Sequence, residues 1–256
     1  MDIITVYFLY GLSFFSMGLA ILLEVGRSSE LDFARALRSL AGFGLVHGTH
    51  EWLEMFLLIR PLTDGSVLSA WIGPGRVVLL AVSFLFLIQF GARLAVGPLR
   101  ARLAWQLLGV ISAIWVAGLA WLFLAEPPAA HIVAADVYTR YSLAIPGAAL
   151  AAWGLFLQRE KFMQAGMRSF GRDMIVAALA FGLYGCIGQL FAAPSVVFPS
   201  EFLNSDTFLD WFGFRIQLFR SLMACIAAVA VIHSLRAFEE ETRRQIEDLS
   251  RAQQDE

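Results

Sequence analysis

Residues 43–57 read FGLVHGTHEWLEMFL, an apolar run that carries four ionisable side chains. These are His47, His50, Glu51 and Glu54, and their i, i+3, i+4, i+7 spacing places them on one face of a helix. A carboxylate at the centre of a membrane helix costs about 2.5–3.5 kcal/mol on insertion scales, so such groups normally face a bundle interior and mark function. The zinc-protease motif has its two histidines at i and i+4, so this stretch does not match it. We therefore expect a ligand-binding site on this face.

The composition is that of an integral membrane protein. Of the 256 residues, 59% are hydrophobic and 16% are charged, and the mean hydropathy is +0.69. Soluble domains average about 45–50% apolar and about 25% charged residues. The net charge is -2 and Lys161 is the single lysine, so nothing in the composition indicates nucleic-acid binding.

Seven apolar runs are each near the ~20 residues that a membrane-crossing helix needs. They span residues 3–25, 37–59, 77–95, 103–124, 137–157, 174–192 and 211–235. We predict an all-α bundle of seven transmembrane helices over residues 1–235. Basic side chains are concentrated in alternate loops, so the positive-inside rule places the N-terminus outside and the C-terminus in the cytoplasm.

The last run continues as a polar helix, predicted over residues 236–256. A three-four spacing connects Leu235, Phe238, Thr242, Gln245, Leu249 and Ala252, and charged residues fill the other faces. This pattern predicts a cytoplasmic signalling helix that forms a parallel coiled coil in a homodimer. The alternative is a single solvated helix on the membrane surface.

The candidate site extends to residues of the last two runs. Taking the helices as straight, Arg220 lies near the level of His50, Arg215 lies near that of Glu54, and Gln189 belongs to the same outer half. We expect Glu51 or Glu54 to form an ion pair with Arg215 or Arg220, because an unpaired charge at this depth is costly. The predicted ligand-binding residues are His47, His50, Glu51, Glu54, Gln189, Arg215 and Arg220.

Two interpretations of the histidines remain open. His47, His50 and Glu51 are the residue types that bind a transition metal, and a haem with an axial histidine is a special case of this. Alternatively, the histidines form the polar wall of a site for a quinone or another small hydrophobic ligand. His131 is assigned to a solvated outer loop and Arg140 to the membrane interface. The sequence contains no nucleotide-binding or catalytic signature.

A multi-pass bundle whose last helix enters a cytoplasmic coiled coil resembles the N-terminal input region of bacterial sensor histidine kinases and diguanylate cyclases. The motif Phe43-Gly44-Leu45, His47-Gly48, Glu51-Trp52 is also similar to one in such regions. The resemblance implies a signal-sensing module in the bacterial inner membrane, coupled to a kinase, PAS or cyclase output domain. The chain ends at Glu256 before any such domain, which favours a truncated receptor. The alternatives are a metal-dependent membrane enzyme that acts on lipid, and a transporter.

Overall fold

The computed structural model of the chain describes residues 1–27, 32–63, 71–97, 100–164 and 168–254. Within these ranges the regular structure is helical, apart from an isolated bridge between Ala192 and Asn204. In chain order the helices are α1 (Ile3–Arg27), α2 (Asp32–Thr63), α3 (Ile72–Val96), α4 (Ala101–Ala125), α5 (His131–Thr139), α6 (Ile145–Gln164), α7 (Arg168–Leu183), α8 (Ser205–Phe212) and α9 (Ile216–Gln254). The first π-helical turn, Arg140–Ala144, joins α5 to α6, and the second, Tyr184–Gln189, extends α7.

Six helical segments of the described chain are long and apolar enough to cross a membrane. They are Ile3–Gly26, Ile72–Val96, Ala101–Ala125, His131–Glu160, Phe170–Gln189 and Ile216–Arg236. The prediction of an all-helical, multi-pass membrane protein is confirmed. Helix α2, which contains the predicted run 37–59, is not among the six, because its ionisable residues lower its hydropathy. Seven crossings therefore remain a prediction.

Local interactions set the helix ends. Asp2 accepts a hydrogen bond from the Thr5 main-chain N–H at 2.9 Å and begins α1, and the hydrogen bonds from the Thr5 hydroxyl and N–H lower the pKa of Asp2. Gly213, with φ of 75°, ends α8 in the left-handed conformation that favours glycine. The predicted run 211–235 is therefore broken, and its helix begins at Ile216.

The helix of the fifth predicted run begins earlier than the sequence suggests. Predicted over 137–157, it starts at His131, whose ring Nε2 lies 2.8 Å from the Glu126 carbonyl oxygen. His131 is thus the first residue of α5, which corrects its assignment to a solvated loop. Pro146 lacks an N–H and conflicts with an ordinary α-helical turn. The helix accommodates it with the first π-helical turn, in which the Ile145 N–H donates to the Arg140 carbonyl.

Six helices form a closed ring in which each contacts the next: α1, α2, α3, α6, α7 and α9, with α9 returning to α1. Helix α4 lies outside this ring against α3 and α5, and most of its surface is exposed. Large apolar side chains fill the ring, among them Phe14, Phe43, Phe84 and Tyr184. The ring thus encloses the side chains on the inward face of α2.

Helices α1 and α2 are in main-chain contact at two glycines of α2. A Cβ added at Gly44 would lie 2.7 Å from the Gly18 Cα, and one at Gly48 would lie 2.6 Å from the Phe15 nitrogen. Two glycines four residues apart allow membrane helices to approach this closely. The contact fixes the rotation of α2 about its axis, so its polar face points into the ring.

Gly44→Ala should lower the midpoint of thermal unfolding in detergent, because the added methyl meets the main chain of Gly18. Overpacking costs about 1–3 kcal/mol, and about 1 kcal/mol shifts Tm by about 2–4 °C in domains of roughly 150–250 residues. The matched control is Gly182→Ala, since nothing lies within 4 Å of a carbon added there. Scanning fluorimetry that gave the two variants equal Tm values would contradict the α1–α2 contact.

Candidate functional site

Helix α2 carries the most buried part of the predicted site. His47, His50 and Glu51 are 0%, 0% and 1% exposed. Glu54, one turn further along α2, keeps 15% of its side chain exposed. The side chains of the predicted helical face therefore do lie together, and the ring of helices encloses them.

His47 is held by hydrogen bonds at both ring nitrogens. The Ser83 hydroxyl donates to the Leu80 carbonyl at 2.6 Å, so its oxygen is left to accept from His47 Nδ1 at 3.1 Å. Nε2 then accepts from the hydroxyls of Tyr10 at 3.0 Å and Tyr184 at 3.3 Å. This bonding orients the ring and leaves neither nitrogen free for another ligand.

His50 and Glu51 continue the network toward the cavity. His50 Nδ1 lies 3.2 Å from Glu51 Oε1, which is also 3.5 Å from His47 Nε2. His50 Nε2 lies 3.5 Å from Glu54 Oε1, too far for a good hydrogen bond. His50 therefore has one engaged nitrogen, and its other nitrogen faces the cavity side of α2.

Two arginines form ion pairs with the carboxylates of this region. Arg76 Nη1 lies 2.8 Å from Glu54 Oε2, and Arg140 Nε lies 2.8 Å from Asp136 Oδ1. Arg140 Nη2 is also 3.9 Å from Glu51 Oε1, so one guanidinium serves two carboxylates. Arg140 is buried, and a buried guanidinium is costly unless carboxylates such as those of Asp136 and Glu51 lie close to it.

Both π-helical turns meet at this place. Arg140 opens the first turn, Gln189 closes the second, and Arg140 Nη1 donates to Gln189 Oε1 at 3.3 Å. The Tyr141 hydroxyl makes a second bridge, donating to the Leu190 carbonyl at 2.9 Å. Single π-helical turns inside α-helices occur frequently at functional sites. Two of them facing each other across a buried ion pair mark this region as the candidate site.

Arg220 of α9 binds the end of α7 instead of a carboxylate. Its Nε donates to the Gly188 carbonyl at 2.6 Å and its Nη2 to the Phe191 carbonyl at 3.2 Å. These carbonyls lie at a helix C-terminus, where they lack intrahelical donors and carry partial negative charge. Among the described residues, no carboxylate oxygen lies within 4.0 Å of this guanidinium, which is 3% exposed.

We call Glu51, Glu54, Arg76, Asp136, Arg140 and Arg220 the charged cluster. A cavity of about 180 Å³ borders all of them except Glu51 and is also lined by Tyr7 and Gln217. Four buried polar atoms of this region have no hydrogen-bond partner. Glu54 Oε1 and Arg76 Nε belong to residues that line the cavity, and His50 Nε2 and Gln189 Nε2 belong to residues next to Glu54 and Arg140. Buried polar groups normally have partners, so these atoms are suited to bind water or a small polar ligand.

Most of the predicted site residues belong to this one network. Six of the seven are His47, His50, Glu51, Glu54, Gln189 and Arg220. Arg215 precedes α9, is half-buried, and neither lines the cavity nor enters an ion pair of the described residues. Ligand binding by these residues remains a prediction.

The predicted ion pairs are wrong. Glu54 pairs with Arg76 and Glu51 lies nearest to Arg140, so neither pairs with Arg215 or Arg220. The reason is that α5 begins at His131, which brings Arg140 inside the bundle and away from the membrane interface. The i, i+4 spacing of Asp136 and Arg140, shortly before a mid-helix proline, is the signal that could have located the pair.

The predicted metal ligands do not converge. His47 has both nitrogens engaged, and the described residues whose ligand atoms lie within 4.8 Å of one another are His50, Glu54 and Asp136. Both carboxylates of that set already have an arginine partner, and the charged cluster balances three carboxylates against three guanidiniums. The cavity also lies below the ~300–1,000 Å³ of pockets for larger organic ligands, so it does not fit a haem.

Comparison of the chain with models of protein families, with curated proteins and with solved structures finds no match. The resemblance of its sequence motif to sensor kinases and cyclases is therefore carried by the sequence alone. A function has to be argued from the charged cluster and from the helices that support it.

Asp136→Asn should lower the free energy of unfolding by about 3–5 kcal/mol, because it leaves the buried Arg140 guanidinium without its closest carboxylate. Chemical denaturation in detergent would measure this. The triple variant Glu51→Gln/Asp136→Leu/Arg140→Met should be more stable than Asp136→Asn, since it removes the guanidinium together with both carboxylates beside it.

The control is Asp173→Asn. Asp173 pairs with His233 at 2.7 Å, but the histidine side chain is 62% exposed, and exposed pairs contribute only about 0–1 kcal/mol. If Asp136→Asn were as mild as Asp173→Asn, the charged cluster would not hold the bundle together.

Proposed function

We propose that the chain is a membrane-embedded sensory module of a bacterial signalling receptor, which detects a small polar ligand at the charged cluster and relays the signal through α9. The observation that carries this proposal is the continuity of α9. The helix begins at the cavity with Ile216, contributes Arg220, and runs without a break to Gln254. Its 39 residues span about 58 Å at ~1.5 Å per residue, more than the ~30 Å hydrocarbon core of a membrane.

In this proposal α2 is the seventh crossing. It has 32 residues, a length of about 48 Å at ~1.5 Å per residue, and it packs between α1 and α3, two of the six candidate spans. Its acidic residues Glu51 and Glu54 face Arg140 and Arg76 inside the bundle. Charges that are paired away from lipid are compatible with a membrane helix.

Helix α9 is held differently at the two ends of the bundle. At the cavity end, buried Arg220 binds the last carbonyls of α7. At the opposite end, Arg236 lies 2.9 Å from Glu24 of α1 and His233 lies 2.7 Å from Asp173 of α7. Both of these side chains are 62% exposed, and exposed polar pairs contribute little. Buried Val231 and Leu235 also hold α9 in the hydrophobic core at this end. A shift of α9 where it leaves the bundle therefore requires these side chains to repack.

A ligand with an anionic group would act on the contact between Arg220 and the end of α7. It offers Arg220 a charged partner in place of the neutral carbonyls of Gly188 and Phe191, and charge-assisted hydrogen bonds are about twice as strong. The ligand therefore favours a position of α9 that differs from the one in its absence. A shift of about 1–2 Å is the size of many helix displacements in signalling proteins. The polar part of α9, predicted as a homodimeric coiled coil, carries this shift to a kinase, PAS or cyclase domain.

Arg220→Gln should change the output of a reporter in which the chain is fused at Glu256 to a diguanylate cyclase. We expect a several-fold change in cyclic dinucleotide at equal protein level, because the variant loses the charge that couples the cavity to α9. The matched control is Leu222→Ala on the same helix, a side chain that is 54% exposed. Equal output from the two variants would remove the basis for a role of the charged cluster in signalling.

Insertions between residues 237 and 254 test the relay independently. Two extra residues rotate the helix beyond them by about 200°, whereas seven return it to within about 20° of its original phase. The reporter should lose normal output with two residues and retain it with seven. A reporter that responded equally to both lengths would show that α9 does not transmit a rotational or translational shift.

A further inference from the structure

Gln89 of α3 is a second buried polar anomaly, thirteen residues after Arg76 of the charged cluster on the same helix. It is 4% exposed, and neither its Nε2 nor its Oε1 has a hydrogen-bond partner. An unpartnered amide in an apolar environment is costly, and its two ends require both an acceptor and a donor. The proposed sensory function does not use this residue.

Gln89 lines a groove of about 450 Å³ between α2, α3 and α4. The walls are mostly apolar and include Leu85 and Leu108, whereas the rim carries Arg38 and Arg93. No carboxylate is among the described residues that line it. The groove therefore combines an apolar channel with two guanidiniums at its rim, and that of Arg93 donates to the Arg35 carbonyl at 3.4 Å.

The groove lies where α3 ends and α4 begins. Arg93 occupies the last turn of α3, its guanidinium lies 5.6 Å from the centre of the Trp105 ring, and Trp105 belongs to the first turns of α4. Tryptophan and arginine are typical of the level at which a membrane helix meets the lipid headgroups. The rim of the groove therefore lies at headgroup level, and its apolar walls lie at the level of the acyl chains.

We propose that this groove binds an anionic phospholipid with a hydroxylated headgroup, of the phosphatidylglycerol type. The phosphate is bound between Arg38 and Arg93, and an acyl chain lies along Leu85 and Leu108. The phosphate oxygens accept from Gln89 Nε2, and a headgroup hydroxyl donates to Gln89 Oε1. A quinone has acceptors only and would leave Gln89 Oε1 without a donor from the ligand.

The test is native mass spectrometry and thermal unfolding of the purified chain with phosphatidylglycerol or with phosphatidylcholine of the same acyl chains. Wild-type protein should retain phosphatidylglycerol about tenfold more than phosphatidylcholine and should unfold at a higher temperature in its presence. Arg38→Gln should lower that preference about fivefold, the effect expected of one basic residue at an anionic headgroup. Arg38 is exposed and Arg102→Gln, on the exposed start of α4, is the matched control that should change nothing.

Gln89→Leu provides a readout that a merely structural role would not give. Without lipid the variant should unfold at a higher temperature than wild type, because the unpartnered amide is gone. With phosphatidylglycerol it should gain less stability than wild type does. Equal retention of the two lipids by wild type, equal effects of Arg38→Gln and Arg102→Gln, or an unchanged lipid response of Gln89→Leu would each overturn the proposal.

Discussion

The guanidinium of Arg140, set between the carboxylates of Asp136 and Glu51, is the contact on which the arrangement of the bundle depends. It joins α5 to α2, and through Gln189 it also joins both to the end of α7. Inside a protein, such a charge is tolerated only with partners and hydrogen bonds on several sides. The contacts of the charged cluster therefore favour one relative position of α2, α3 and α5, and Arg220 adds α9 through the carbonyls at the end of α7.

The main chain makes this charged contact possible in two ways. The glycine contact at Gly44 and Gly48 brings α2 against α1 and turns its acidic face inward. The two π-helical turns widen their helices, so that Arg140 and Gln189 meet and Arg220 reaches the carbonyls at the end of α7. Side-chain charge and main-chain irregularity thus occur at the same place, and the first π-helical turn also accommodates Pro146.

The sequence predicted the elements of the fold well and the partners in the site poorly. Long apolar runs and the period of α2 are local signals, so the helices and the buried face of His47, His50 and Glu51 could be read directly. Ion pairing depends on helix rotation and on where a helix begins, and no local pattern reports either. When the helices are taken as straight, Arg220 lies at the level of His50. In the structure α5 begins early, and this places Arg140 beside Glu51.

The charged cluster and the unpartnered amide of Gln89 are suited to different kinds of ligand. In the charged cluster Glu54, Asp136 and Arg140 already have partners within the protein, so an occupant would compete for existing contacts while adding partners for Arg220 and for the unpartnered polar atoms. At Gln89 no group of the described chain satisfies the amide, so the partner has to come from outside the protein. The first site touches α9, which leaves the bundle, whereas the second touches α4, which lies outside the ring. No described residue of α9 lines the groove, but α2 and α3 contribute residues both to the groove and to the charged cluster, so the two sites share these two helices.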